Sequence, residues 1–156
     1  MKRTSAYTLI EILVGITIIG LIFGFGYVSF REFSRRQALS GAAKEIKGDL
    51  RLAQALALSG DKPESCTGLL NGFNFRVESA SSYKIEADCG TQVYEDKTVD
   101  MPDGVSISIP SPNPVLFKVL GQGTNIVLGG SAVITLTQAG TGLTLVVTIT
   151  DGGEIN

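Results

Sequence analysis

The hydrophobic positions of this chain fall into three successive patterns, the first of which is an uninterrupted apolar segment. Residues 7–30 form this segment of 24 residues, and Glu11 is its only charged residue. As an α-helix the segment would be about 36 Å long, enough to cross a hydrocarbon core of about 30 Å. A carboxylate in such a segment costs on the order of 3 kcal/mol to insert, so Glu11 is predicted to be functional and to have a cationic partner.

The second pattern is an amphipathic stripe, which begins after the composition becomes polar at Arg31. Apolar residues recur there at intervals of three and four, the spacing of one helical face. The stripe consists of Leu39, Ala42 or Ala43, Ile46, Leu50, Ala53 and Ala57, with Lys44, Glu45, Lys47 and Asp49 mostly off it. Ser59, Gly60 and Pro63 then give a stop signal. We therefore predict one helix from about residue 7 to residue 59.

The third pattern, from Asp61 onward, alternates apolar and polar residues with the period of half-buried β-strands. Six strands are predicted, and residues 121–130 form a loop that leaves room for a further short strand at 126–128. The predicted strands are residues 73–77, 83–87, 105–109, 115–120, 132–138 and 143–150. The fold class is therefore α+β, with an antiparallel β domain packed on the apolar stripe of the helix. One curved sheet and a sandwich of two sheets both fit the pattern.

Composition excludes several kinds of function. The chain has no histidine, which rules out Ser-His-Asp and Cys-His nucleophiles and histidine-containing metal sites. Its formal net charge is −2 over 156 residues, so it is a poor candidate for a general nucleic-acid binder. The acidic residues are scattered on predicted loops, and Asp151 and Glu154 alone offer too few oxygens for calcium. We predict no catalytic, cofactor-binding or metal-binding residues, and a protein that is not an enzyme.

A short motif at the start of the chain carries a resemblance to a known family. Residues 1–6 form a polar leader with two basic side chains, which ends in the small residue Ala6. Tyr7 and the sequence Thr-Leu-Ile-Glu, ending at Glu11, follow it directly and open the apolar segment. This arrangement resembles the type IV prepilin and pseudopilin signal. The family usually has glycine before the cleavage site and phenylalanine after it, so Ala6 and Tyr7 are both departures.

The resemblance implies a role for each of these residues. A prepilin peptidase would cut between Ala6 and Tyr7, and the new amine of Tyr7 would be methylated and keep its charge. Glu11 would then pair with this amine, in its own subunit or in a neighbour, because the pair neutralises two charges that are costly to bury alone. Two other interpretations stay open. Residues 12–26 fit an ordinary secretory signal with its cleavage site, and residues 7–30 fit a plain signal anchor.

Downstream residues narrow the resemblance to minor pseudopilins of the GspH/FimT type. Residues 44–59 resemble the second half of the helix in that group, and the ending Val-Thr-Ile-Thr-Asp-Gly-Gly-Glu-Ile at residues 147–155 resembles its final strand. The implied organisation is a leader at 1–6, a transmembrane and assembly segment at 7–30, an amphipathic helix at 31–59 and an exported β-rich domain at 60–156. Arg31, Arg35 and Arg36 oppose the usual charge rule for this orientation.

The family also implies the partners and the location. The chain would contact other pilin or pseudopilin subunits, the prepilin peptidase and N-methyltransferase, membrane lipid and an inner-membrane assembly platform. It would be a single-pass protein of the cytoplasmic membrane that polymerises into a periplasmic or surface filament, most simply as a minor subunit. A major pilin and a non-assembling anchored binding domain are the alternatives. A DNA-binding minor pilin is less favoured, because the last basic residue is Lys118 and the tail is acidic.

The two cysteines support export of the β domain. Cys66 and Cys89 are 23 positions apart, and two thiolates alone cannot complete a structural zinc site. In an exported domain a disulfide is the natural prediction, and it would contribute roughly 3 kcal/mol in the chain-entropy model. Two buried free thiols are the alternative.

Overall fold

The computed structural model describes residues 8–90 and 92–156, without the side chains of residues 23, 25–29 and 95. The chain divides into two compact units, Met1–Arg35 and Arg36–Asn156, each of which is described by itself. Ala6 and Tyr7, the predicted cleavage site, lie outside the described residues. One helix contributes to both units, and all the strands belong to the second.

The helix α1 extends over Leu9–Ser59, and its two ends are fixed by local hydrogen bonds. At the start, the amide of Glu11 donates to the carbonyl and the hydroxyl of Thr8, at 3.1 and 3.3 Å, so Thr8 is the N-cap. At the end, Gly60 has φ +65°, its amide bonds the carbonyl of Ala57, and the next amide bonds that of Leu56. This is a Schellman motif, in which glycine avoids the strain of the left-handed conformation.

In the first unit, the large apolar side chains of α1 that the structure describes are exposed. Those given below are each between 49% and 83% exposed, and they surround the helix rather than marking one face. They are Leu9, Ile10, Ile12, Leu13, Val14, Ile16, Ile18, Ile19, Leu21 and Ile22. When the described residues are searched, no helix among them proves long and apolar enough for a membrane span.

In the second unit, the described residues form seven strands in two antiparallel sheets. They are β1 (Gly72–Ser79), β2 (Ser82–Asp88), β3 (Val93–Asp100), β4 (Val105–Ile107), β5 (Val115–Lys118), β6 (Ser131–Gln138) and β7 (Thr144–Thr150). Sheet A has the order β3-β2-β1-β5, and sheet B has the order β4-β6-β7. Both predicted hairpins, β1–β2 and β6–β7, are present. The choice between one sheet and two is thus settled in favour of two.

The core of the second unit lies between the helix stripe and the inner faces of both sheets. Every residue of the predicted stripe is buried, with Ile46, Leu50, Ala53 and Ala57 fully inaccessible. Alternate residues of the strands meet them, among them Phe73, Phe75, Ile85, Ile134, Leu136 and Ile149. The α+β arrangement of a long helix on antiparallel strands is therefore confirmed, since helix and strands each bury the face that their sequence period predicts.

The structure differs from the predicted strands at four places. The strand predicted at 105–109 ends at Ile107. The strand β3 was not predicted, because Asp96 and Lys97 follow one another and break the alternation of apolar and polar residues. Its pairing with β2 also shifts register between Ile85 and Glu86. The strand predicted at 115–120 ends at Lys118 and is followed by a 3₁₀ turn at Val119–Gly121. Residues 126–128 form a loop rather than the short strand considered from the sequence.

Three sheet edges are covered by other segments of the chain. Residues 123–125 follow β5, with the side chain of Asn125 accepting from the amide of Leu116 at 2.9 Å. The end of the chain follows β7, where Thr148 and Asn156 exchange main-chain hydrogen bonds of 3.1 and 3.0 Å. On β4, the amide of Ile107 donates to Ala80 at 2.9 Å. Within the described residues, the outer edge of β3 makes no comparable main-chain pairing.

Candidate functional site

The candidate assembly site is the beginning of α1, where Glu11 lies in the first helical turn. Thr8 and Glu11 have the Thr-x-x-Glu spacing of a capping box, and the Thr8 hydroxyl accepts from the Glu11 amide. A carboxylate in this turn also interacts favourably with the positive end of the helix dipole. The hydrogen bond uses only the main-chain amide of Glu11, so the local contribution of its carboxylate is the interaction with the helix dipole, in addition to the assembly role that its sequence context predicts.

The surroundings of Glu11 determine which chemistry it can perform. Its side chain is exposed, as are those of Leu9, Ile10 and Ile12 beside it. An exposed carboxylate on an apolar helix can accept hydrogen bonds from an amine. If the helix is buried, an unpaired carboxylate becomes costly, and pairing with an amine would reduce that cost. The amine proposed from the sequence belongs to Tyr7, which lies outside the described residues, so the pair itself stays a prediction.

Comparison with known proteins bears on this end of the chain. Residues 1–27 match the family described as the prokaryotic N-terminal methylation motif. The matched residues include Ala6, Tyr7 and Glu11, and they support a type IV pilin-like prepilin substrate. Neither the comparison with curated proteins nor that with solved structures gave a match. The finer likeness to the GspH/FimT type remains a prediction.

The β domain carries the disulfide that the sequence predicts. Cys66 and Cys89 are bonded, with their Cα atoms 5.8 Å apart, and both are almost completely buried. The bond ties the segment after α1 to the end of β2. A Cβ on Gly68 would come within 2.5 Å of the Cys89 carbonyl, so this close approach of two backbones requires glycine. The two cysteines are therefore not free thiols.

Removing the disulfide should destabilise the β domain without disturbing the helix start. We expect the double variant Cys66→Ser, Cys89→Ser to lose roughly 3 kcal/mol of unfolding free energy, because its unfolded chain is no longer constrained by the 23-residue separation. Chemical denaturation of the oxidised protein and the variant measures this difference. Equal midpoints for the two would contradict a stabilising role.

Sequence reasoning missed a buried polar cluster that joins α1 to sheet A. The Tyr83 hydroxyl donates to Asp49 Oδ2 at 2.7 Å, and Lys97 Nζ lies 2.7 and 2.9 Å from the two carboxylate oxygens. Asp49 is only 6% exposed and Tyr83 is fully buried, with its ring 5.0 Å from that of Phe75. Burial raises the pKa of Tyr83, and the hydrogen bond and negative charge of Asp49 raise it further. Tyr83 therefore remains a neutral donor.

The position of Asp49 relative to the apolar residues of the helix indicates from the sequence that its side chain is buried. Asp49 follows Ile46 by three positions and precedes Ala53 by four, so it lies on the apolar stripe and not off it as predicted. A carboxylate at such a position is buried and requires partners. The partners, however, come from strands 34 and 48 positions away, which the sequence does not pair with the helix.

Proposed function

We propose that this chain is a subunit of a pilus-like or type II secretion-like filament. The observation that carries the proposal is the methylation motif over residues 1–27, which contains the predicted cleavage site and Glu11. Residues 1–6 would be removed, Tyr7 would be methylated, and residues 7–30 would be inserted in the membrane before assembly. Residues 31–59 would then hold the β domain at 60–156 outside the membrane.

The exposed apolar side chains at the start of α1 support a role of this segment in membrane insertion and assembly. Ten large apolar residues between Leu9 and Ile22 are open to solvent around the helix, far more than a soluble monomer leaves uncovered in one segment. Lipid would cover them in the monomer, and the helices of neighbouring subunits would cover them in a filament. Glu11 would fix the axial position of one helix against the next by pairing with a Tyr7 amine.

The finer role follows from the downstream resemblance. A minor subunit would be present in few copies and would need other pilins, the prepilin peptidase and an assembly platform in the cytoplasmic membrane. A major subunit would polymerise with copies of itself. Fibres formed by the purified, processed chain alone would favour the major role, and a requirement for other pilins would favour the minor one.

The N-terminal residue of the protein taken from membranes tests the proposal. We expect an intact mass and a terminal sequence that begin at Tyr7 with one added methyl group. A variant with Ala6→Gly, the usual residue of the family, should be processed at least as completely, whereas Ala6→Leu should retain residues 1–6. A protein that begins at Met1 or after residue 23 would contradict the proposed function.

A further inference from the structure

An unusual leucine marks one end of the second unit. Leu120 has φ 56° and ψ 29°, the left-handed conformation, and it is the one non-glycine residue with positive φ among the described residues. This conformation costs an L-amino acid on the order of 1 kcal/mol or more. Its side chain is nevertheless 74% exposed and gains nothing from the core. Within the subunit, neither the backbone nor the side chain gives a reason for leucine here.

An unpaired cation lies beside this leucine. Two hollows of about 200 and 390 Å³ border the segment at residues 118–123, and Lys118 is the charged residue in the described lining of both. Lys118 is half-buried, yet no carboxylate of the described residues is within ion-pair distance. By contrast, Arg76, Lys84 and Lys97 are each paired with an acid at 3.1 Å or less. Leu58, which is 51% exposed, lines the smaller hollow, and Leu69, which is 81% exposed, lines the larger one.

The opposite end of sheet A presents the complementary chemistry. In the register of sheet A, Lys118 lies opposite Gly72, at the start of β1. Asp100 lies opposite Ser82, which is beside the end of β1. The two ends of β1 are about 23 Å apart, given the rise per residue of a strand. Asp100 and Asp103 are exposed there, without a basic partner among the described residues, and flank the half-buried Met101 and Pro102. One end of the domain thus offers a cation with exposed leucines, and the other offers carboxylates with apolar neighbours.

We infer that the surface formed by Leu58, Leu69, Lys118 and Leu120 binds the segment at residues 100–103 of a second copy of this chain. A contact between opposite ends of two copies is heterologous, so it repeats along an open assembly instead of closing into a dimer. The contact is small and rests on the proposed function with this chain as a major subunit, because packing of the N-terminal helices of adjacent copies would supply the local concentration that it needs. In this arrangement, burial of the Leu120 side chain against the next subunit offsets the conformational cost of its left-handed backbone.

A photo-crosslinking residue at the exposed position Gln122 tests this contact in the full chain within its native membrane and filament. We expect a crosslinked dimer whose joined peptide contains residues 100–103. Lys118→Glu should lower its yield about tenfold, because like charges then face each other across the contact. Adding Asp100→Lys and Asp103→Lys to that variant should restore the yield. The control Lys62→Glu makes the same charge change on the loop after α1, outside both hollows, and should have no effect.

A second variant separates the contact from folding. Leu120→Asn should leave the thermal midpoint unchanged or raise it, because asparagine tolerates the left-handed conformation, and it should still lose the crosslink. A joined peptide from another region or another protein, or no rescue by the charge reversal, would overturn the inference. A chain that begins at Tyr7 but gives no crosslink would refute this contact alone, whereas a chain that begins at Met1 would refute the proposed function.

Discussion

Replacing Glu11 with valine or alanine should abolish incorporation of this chain into a filament and leave its amount in the membrane unchanged. Both substitutions remove the one carboxylate from an apolar segment, so insertion becomes easier, not harder. Incorporation fails because the Tyr7 amine of the same or a neighbouring subunit loses the partner that makes its burial tolerable. Immunoblots of sheared filaments and of the remaining membranes, normalised to each other, measure the two amounts.

The helix cap formed by the Thr8 hydroxyl and the Glu11 amide requires its own control. Glu11→Gln keeps a hydrogen-bonding side chain three residues after Thr8 but removes the charge, whereas Thr8→Ala keeps the charge and weakens the cap by about 1 kcal/mol. If incorporation depends on pairing of the Glu11 carboxylate with an amine, Glu11→Gln should fail to assemble, as Glu11→Val does, and Thr8→Ala should assemble normally. Normal assembly of the glutamine variant, or failure of the Thr8 variant alone, would show that the cap is what matters.

Asp49→Ala should strongly destabilise the second unit. It leaves the buried Tyr83 hydroxyl without an acceptor and the Lys97 amine without its counter-charge. We expect a loss of about 3 kcal/mol in unfolding free energy, the lower end for breaking such a pair, because Lys97 is 39% exposed and partly hydrated. Denaturant titration of the full-length protein, followed by the near-ultraviolet signal of its tyrosines, measures the change.

Two comparison variants make the Asp49 result specific. Asp96→Ala removes an exposed carboxylate next to Lys97 in the sequence and should change the unfolding free energy by less than about 0.5 kcal/mol. Tyr83→Phe keeps the ring against Phe75 and removes only the hydroxyl, so it should cost about 1 kcal/mol. If Asp49→Ala were no worse than Asp96→Ala, the cluster would contribute nothing to stability.

The sequence predicts those parts of the fold that depend on local period. The helix stripe from Leu39 to Ala57 and the two hairpins are recovered because each buries a face that repeats every 3.6 or every 2 residues. The end of α1 is also predictable, since Gly60 is required by the geometry of the cap. The apolar run does not reveal Thr8 as the N-cap of the described helix, because that role depends on a hydrogen bond from the Glu11 amide to its hydroxyl.

The remaining features depend on contacts between distant segments. Strand β3 is formed by pairing with β2 and carries charges that hide it, and the partners of Asp49 come from two different strands. The conformation of Leu120 also has no sequence signature, because a leucine between Val119 and Gly121 fits a strand as well as a turn. For the candidate site, the sequence is more informative than the structure. Glu11 and the predicted cleavage position are recognised from the sequence alone, whereas the ion pair of Glu11 requires the amine of Tyr7, which lies outside the described residues.

The uncovered edge of β3 has a consequence for how this domain misfolds. A bare strand edge is a template onto which another chain can add, the first step towards amyloid. The exposed charge of Asp96 on that strand opposes such growth, because copies stacked in the same register would align like charges. A neutral substitution of Asp96 would leave the native fold intact and still make concentrated preparations prone to fibrillar precipitates, whereas one of Lys97 would also remove the counter-charge of Asp49.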